Sequence, residues 1–486
     1  MYEQVSHSLL NEILHELKPE IGNLRLRHFY TRLGANFYAI HTLFKLLYGE
    51  RADVKQQMVS LVETLAQRYI ERVPALRKSD LAREKDYNWF LSQKWVGMAL
   101  YCDRFADDLK GLRANLPYLQ DLGVNLLHVM PLLDCPPDNS DGGYAVRDFY
   151  RIDPRFGRNE DVVELAATLK KRDMLLALDV VVNHTSNEHE WARRARQGDK
   201  KYQDYYYVFD DRETPDIYEE TLPEIFPETA PGNFTWDAEM GKWVMTVFNT
   251  YQWDLNYRNP AVLIEMSSIS RGLPFGENPK TGDARISGSL ASLVGLETAL
   301  ESGDAAAIDA AIKTIVLLHS VILSFGGIPL LYYGDAVGTL NSLEYLADPA
   351  KADDNRWMNR SNFNWSKAER RHQNGTVEQR IFSALKKMIA LRKEISAFAD
   401  FDNRQLLAVD NPNLLVFSRN EPQNSRNRVL VLVNFNDAAQ TLSAGALRPY
   451  GFFLADGMKD VCSGERVEPT ADRLVLPPLA CLWLVD

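Results

Sequence analysis

The chain has 486 residues, 45% hydrophobic and 25% charged. That balance supplies a large core and excludes intrinsic disorder as the main state. Lysine plus arginine number 55 against 66 acids, a formal charge of −11. An acidic chain with no basic stripe is a poor candidate for binding nucleic acid or an anionic membrane.

The first twenty residues, MYEQVSHSLLNEILHELKPE, carry no cationic start and no uninterrupted apolar stretch, so no signal peptide is expected. No run is expected to be apolar and long enough to span a bilayer. Cys102, Cys135, Cys462 and Cys481 form no Cys-x-x-Cys and read as reduced packing residues of a cytoplasmic protein.

Residues 1–90 read as a helical domain, with apolar residues at helical spacing in Leu9, Leu10, Ile13, Leu14, Leu17 and again in Phe37, Ile40, Leu43, Phe44, Leu47. From Trp95 the pattern changes. WVGMALYCDRF, VNLLHVMP (124–131) and MLLALDVVVNH (174–184) read as buried strands. Helical stretches separate them, one of them starting at an Asn159 N-cap. Strand–helix alternation means a parallel sheet covered by helices.

Residues 185–260, rich in Tyr, Trp and Pro, read as a long insertion. A strong helix, AAIDAAIKTIVLLHSVILSFG, then leads to a fourth strand, IPLLYYGD (328–335). Short alternating runs from residue 404 onward predict a C-terminal antiparallel β-sandwich, 404–486. The middle region, 91–403, is expected to be of (β/α)8-barrel type.

Polar residues gather where the predicted parallel strands end: Asp103 and Arg104, His128, the Asp138–Asp148 loop, Asp179, Asn183, His184 and Asp335. On a barrel that rim is where sites are built. Each alone is more often a helix cap or loop anchor; their recurrence on one rim points to a site. HTSNEH lacks zinc-helix spacing, and no nucleotide-binding or serine-hydrolase motif occurs. No metal or cofactor is implied. The aromatics at 202–207 and 248–257 suit either sugar stacking or packing of the insertion.

The run ALDVVVNHTSNEHEW resembles the third-strand signature of the alpha-amylase superfamily. Together with DGGYAVRDFYRIDPRFG, EIFPETAPGNFTWD, FNTYQWDLNYRNP, IPLLYYGDAVGTLN and DDNRWMNR, it is similar to one family in particular, the amylosucrases. The resemblance implies a (β/α)8 barrel and a retaining transfer of glucose from sucrose to an α-glucan or to water. It implies, as substrate-binding residues, Asp141 and Arg356 as an ion pair at the floor of the glucose pocket. Tyr144 would stack on the ring and His184 would hydrogen-bond it. Phe248, Gln252 and Arg285 would lie on the acceptor side, with Asp179 and Asn183 holding the strand end in shape.

The chain departs from that family after Asn259-Pro260. Ile264-Glu265-Met266 runs straight into Ser267-Ser268-Ile269-Ser270-Arg271, which resembles a segment beyond the seventh strand. The fourth-strand Arg-x-Asp with the nucleophile, the acid/base Glu and the His-Asp pair are missing. The one nearby Arg-x-Asp, Arg151-Ile152-Asp153, belongs to the second-strand loop motif, so no catalytic residue is assigned. Four absent strand–helix units at ~30 residues each amount to at least ~120 residues. Strands 1–3 and 8 are expected to lie side by side in an open sheet.

Three readings follow: an amylosucrase-like chain inactive by itself, a non-catalytic remnant that binds sucrose or α-glucan or pairs with another chain, or an intact sucrose hydrolase whose missing stretch is a fault of recording. A homodimer is among the expected partnerships.

Overall fold

The computed structural model describes residues 4–16, 26–86, 88–226, 230–263, 288–349, 351–352, 355–421, 424–454 and 457–485. The Ile264–Arg271 junction and Arg285 lie outside them. The chain resolves into two compact units, both discontinuous in sequence: residues 1–86, 133–153 and 180–281, and residues 87–132, 154–179 and 282–486.

The first unit opens with four helices, α1 Gln4–Glu16, α2 Arg27–Tyr48, α3 Val54–Glu71 and α4 Pro74–Lys85. Leu10, Ile13, Leu33, Phe37, Phe44, Met58 and Val62 form their core. The expected apolar stripe on α2 is only half right. Leu43 and Leu47 are 62% and 66% exposed, while Tyr48 is buried and its hydroxyl donates to the Tyr257 carbonyl at 2.7 Å.

The insertion in this unit carries a three-stranded antiparallel sheet (Val208–Phe209, Lys242–Met245, Phe234–Asp237) and a two-stranded ribbon pairing His184–Ser186 with Gln252–Asp254. Val146, Phe149, Val181, Trp191, Tyr205, Tyr206 and Trp253 form its core. Sugar stacking is therefore ruled out for three of the aromatics. Tyr205, Tyr206 and Trp253 are each 1% exposed, and Tyr206 meets Trp253 edge to face at 5.3 Å.

The second unit is built on a four-stranded, wholly parallel sheet. Its strands are β1 Gly97–Leu100, β2 Leu126–Val129, β3 Leu175–Leu178 and β4 Leu330–Tyr332, in the order β4-β1-β2-β3. Gly97 pairs with Leu330 on one side and Leu126 on the other. A Cβ there would meet Leu330 Cδ1 at 2.7 Å, so glycine allows the close approach.

Burial is complete in the middle of the sheet (Met98, Leu100, Leu127, Val129) and fails at its margins, where Leu178 and Leu330 are 40% and 43% exposed. Among the described residues the sheet does not close into a barrel.

The third strand is shorter than its apolar run suggested. It ends at Leu178, and Val180–Val182 do not extend the edge. Val181 is buried in the core of the insertion, and His184 begins the separate ribbon. A run of branched apolar residues reports burial, and here the partner that buries it changes midway.

Three longer helices belong to this unit, α5 Asn159–Lys171, α6 Ala305–Phe325 and α7 Val377–Glu394. Asn159 is the first residue of α5 and not its cap. The cap position is Arg158, whose backbone N–H donates to the Asp161 carboxylate at 2.8 Å. Contrary to the sequence reading, α6 is long and apolar enough to cross a membrane by length and composition. It nonetheless carries Asp309, paired with Lys313 and Arg380, and it buries Ile312, Ile315, Leu317 and Leu323, which suits a core helix.

The C-terminal part of this unit is a two-sheet arrangement. A six-stranded antiparallel sheet centres on Asn424–Asn434, and a pair joins Gln440–Ser443 to Arg473–Leu476. Leu430, Leu432 and Leu484 of the first pack with Leu442, Leu474 and Leu476 of the second. None of the four cysteines is in a disulfide among the described residues.

Candidate functional site

Six of the nine residues singled out from the sequence lie in the first unit. The loop that follows β2 turns sharply at Asp141, Gly142 and Gly143, with φ of +47°, +70° and +99°. Two glycines adopt that conformation freely, whereas for Asp141 it carries strain. The turn brings Asp141 and Tyr144 to the ribbon. There Gln252 donates to Asp141 Oδ2 at 3.4 Å, and its amide nitrogen lies 2.9 Å from His184 Nε2.

His184 Nε2 also stands 3.2 Å from the Tyr144 carbonyl. A neutral imidazole has one donor, so this nitrogen either donates to that carbonyl or accepts from Gln252. Phe248 covers the imidazole, with ring centroids 5.2 Å apart. Burial pushes His184 down to about 4, so the ring is neutral at physiological pH.

Behind the imidazole, Asn183 Nδ2 donates to Asp254 Oδ1 at 2.6 Å and sits 3.2 Å from His184 Nδ1. Asp254 also accepts the Val247 N–H at 2.7 Å. Burial nonetheless raises its pKa to about 7. Asp254 was missed by the sequence reading although it stands in the quoted FNTYQWDLNYRNP stretch. A single Asp between Trp253 and Leu255 gives no sign that it points inward. Asn249, which donates to Gln252 Oε1 at 2.8 Å, was missed for the same reason.

Asp179 and Arg356 lie in the second unit. Asp179 pairs with His128, Nε2 to Oδ1 at 2.7 Å, an arrangement that raises the histidine's pKa. Arg285 is outside the described residues. A retaining mechanism needs two carboxyls about 5–5.5 Å apart; Asp254 is only 6% exposed with both oxygens hydrogen-bonded. The cluster can hydrogen-bond hydroxyls and present a ring face. Among the described residues no group of three or more His, Cys, Asp or Glu is placed to hold a metal ion.

Residues 86–273 match the alpha-amylase catalytic domain. The trehalose synthase/amylase TreS of Mycolicibacterium smegmatis is 38% identical over 192 residues, 38% of this chain and 31% of that protein. The oligo-1,6-glucosidase of Heyndrickxia coagulans is 35% identical over 166 residues, 34% of this chain and 29% of that protein. The chain thus spans about a third of the length of these curated relatives.

Among solved structures, a trehalulose synthase MutB variant with Tris matches with a TM-score of 0.59 at 18% identity, over 82% of this chain and 100% of that one. The isomaltulose synthase PalI of Klebsiella sp. LX3 does so with 0.59 at 18%, over 82% and 99%. At that identity the likeness concerns fold. Residues 86–273 are thus similar to the alpha-amylase catalytic domain, and the parallel sheet of the second unit accords with that likeness.

Proposed function

We propose that the chain is an amylosucrase-like protein that holds the glucosyl ring of sucrose or an α-glucan and does not by itself cleave it. The observation that carries this reading is the half-buried Asp141 carboxylate beside Tyr144 and Phe248, held from behind by the buried Gln252 amide, which in turn lies against His184 Nε2. Such groups pair with adjacent ring hydroxyls, donors and acceptors alternating. Tyr144 and Phe248 supply ring faces beside them.

The curated relatives carry names of enzymes of α-glucosides, which supports the substrate class. The lack of cleavage rests on the missing nucleophile and acid/base motifs, without which there is no covalent step.

Calorimetric titration of the full chain with sucrose and with maltoheptaose tests the binding. Saturable binding that falls at least ~10-fold in His184→Ala and Gln252→Ala, a loss of ~1.4 kcal/mol, is expected. No binding of either sugar, or equal binding by both folded variants, would overturn the reading.

A further inference from the structure

In the second unit, three cations surround one indole. The Trp357 ring centroid lies 5.2 Å from the Arg104 guanidinium carbon, 5.2 Å from Lys351 Nζ and 5.1 Å from the Arg360 guanidinium carbon. Two of these charges have partners, Lys351 a close carboxylate and Arg104 a more distant one. Arg104 faces Asp103 at 3.5 Å and donates to Asn362 Oδ1 at 3.1 Å, and Lys351 is paired with Asp348.

Arg360 is different. Its guanidinium packs against the Tyr101 ring at 5.3 Å, and its Nη1 is buried with no hydrogen-bond partner among the described residues. A buried charged donor without an acceptor is costly, and like charges gathered on one ring add to the cost. An anion would relieve both.

The three cations and Trp357 line a cavity of about 180 Å³, together with Asp348, Ser342, Ser361 and Glu344. We propose that this cavity binds a phosphate group, either free or carried on a hexose. The Arg360 fork and the Arg104 charge meet the phosphate oxygens, since guanidinium groups match phosphate geometry and stay charged. The Ser342 and Ser361 hydroxyls can donate to the remaining oxygens. Glu344 would repel a phosphate but accepts from a sugar hydroxyl. The cavity is larger than a phosphate alone, so both observations favour the sugar-borne form. This site involves none of the ring-binding residues of the first unit and does not rest on the function proposed for them.

The test is calorimetric titration of the full chain at low salt with inorganic phosphate, glucose 6-phosphate and glucose. Saturable binding of at least one phosphate-bearing probe is expected, with glucose much weaker. Arg360→Gln should weaken it at least ~10-fold, a shift of ~1.4 kcal/mol. Asn362→Asp should do the same by neutralising Arg104 with a side chain of the same size, and it carries the test if Arg360→Gln fails to fold.

Tighter binding of glucose 6-phosphate than of inorganic phosphate supports the sugar-borne form. Equal affinities support the free oxyanion. Absence of binding by both phosphate probes, or unchanged affinity in the folded variants, overturns the proposal.

Discussion

His184 and Asp254 stand opposite each other as a register pair in the antiparallel ribbon, and the Asn183 amide lies against both. Burial moves their pKa values in opposite directions, to about 4 for the histidine and about 7 for the aspartate. The depressed histidine contributes stability that is whole above its unfolded pKa of ~6.5 and is lost as pH falls toward about 4. The raised aspartate contributes stability that is whole below its unfolded pKa of ~3.9 and is lost as pH rises toward about 7.

Between about 4 and 6.5 the two slopes oppose each other, so their joint contribution is nearly flat. Each single variant should expose the other's slope. Relative to the parent, Asp254→Asn should gain stability as pH rises through that window. His184→Gln should lose it, each by up to ~1.4 kcal/mol per pH unit. Urea unfolding at half-unit pH steps reads this directly. Parallel curves for all three proteins would refute it.

The His128–Asp179 pair makes a separate titration prediction. Asp179 holds the His128 proton, so the ring should titrate above the ordinary histidine value. Its stabilisation is whole below ~6.5 and disappears as pH rises through the folded value. Asp179→Asn should bring the ring's NMR titration midpoint down, and an unmoved midpoint would mean the contact is absent in solution.

Arg419 is fully buried, with no carboxylate in a salt bridge to it among the described residues. It donates to the Ser324 carbonyl at 2.9 Å and to the Ala399 and Asp400 carbonyls at 2.8 Å, and its Nε donates to Asn403 Oδ1 at 2.9 Å. It thereby ties the C-terminal end of α6 to the β domain within one unit. Arg419→Met fills the space but strands those oxygens, each costing ~1–3 kcal/mol. A loss of ~3 kcal/mol or more in chemical denaturation is expected. A loss under ~1 kcal/mol would show that water replaces the guanidinium.

Sucrose turnover should be absent. Fructose release by the full chain is expected to equal that of an Asp179→Ala control, because the nucleophile and acid/base motifs are missing. Sustained release above that control would place a catalytic pair in a part of the chain assigned none.

The margins of the parallel sheet bear on self-association. Leu178 on β3 and Leu330 on β4 are half exposed on the two outer strands. Apolar edge strands pair with other chains unless charged or covered. Light scattering should therefore show a dimer or larger species. Leu178→Lys should shift it toward monomer. A monodisperse parent monomer with a sharp, reversible melt would argue against open edges.

The sequence by itself determined the four parallel strands and their helices, because continuous Leu and Val runs between amphipathic stretches satisfy only a covered sheet. It also marked His184, Asp141 and Gln252, through the resemblance of the stretches that hold them to those of a known family. What it could not determine is which partner buries a given apolar run.

Val181 leaves the β3 run to pack with Trp191, and Leu43 looks outward although Phe44 beside it is buried. Asp254 and Asn249 became visible only when the ribbon set them against Asn183 and Gln252. Periodicity records that a side chain is removed from water. The identity of its neighbour depends on contacts between residues far apart in the chain, as in the 71-residue separation of Asn183 and Asp254, and only the folded structure decides those.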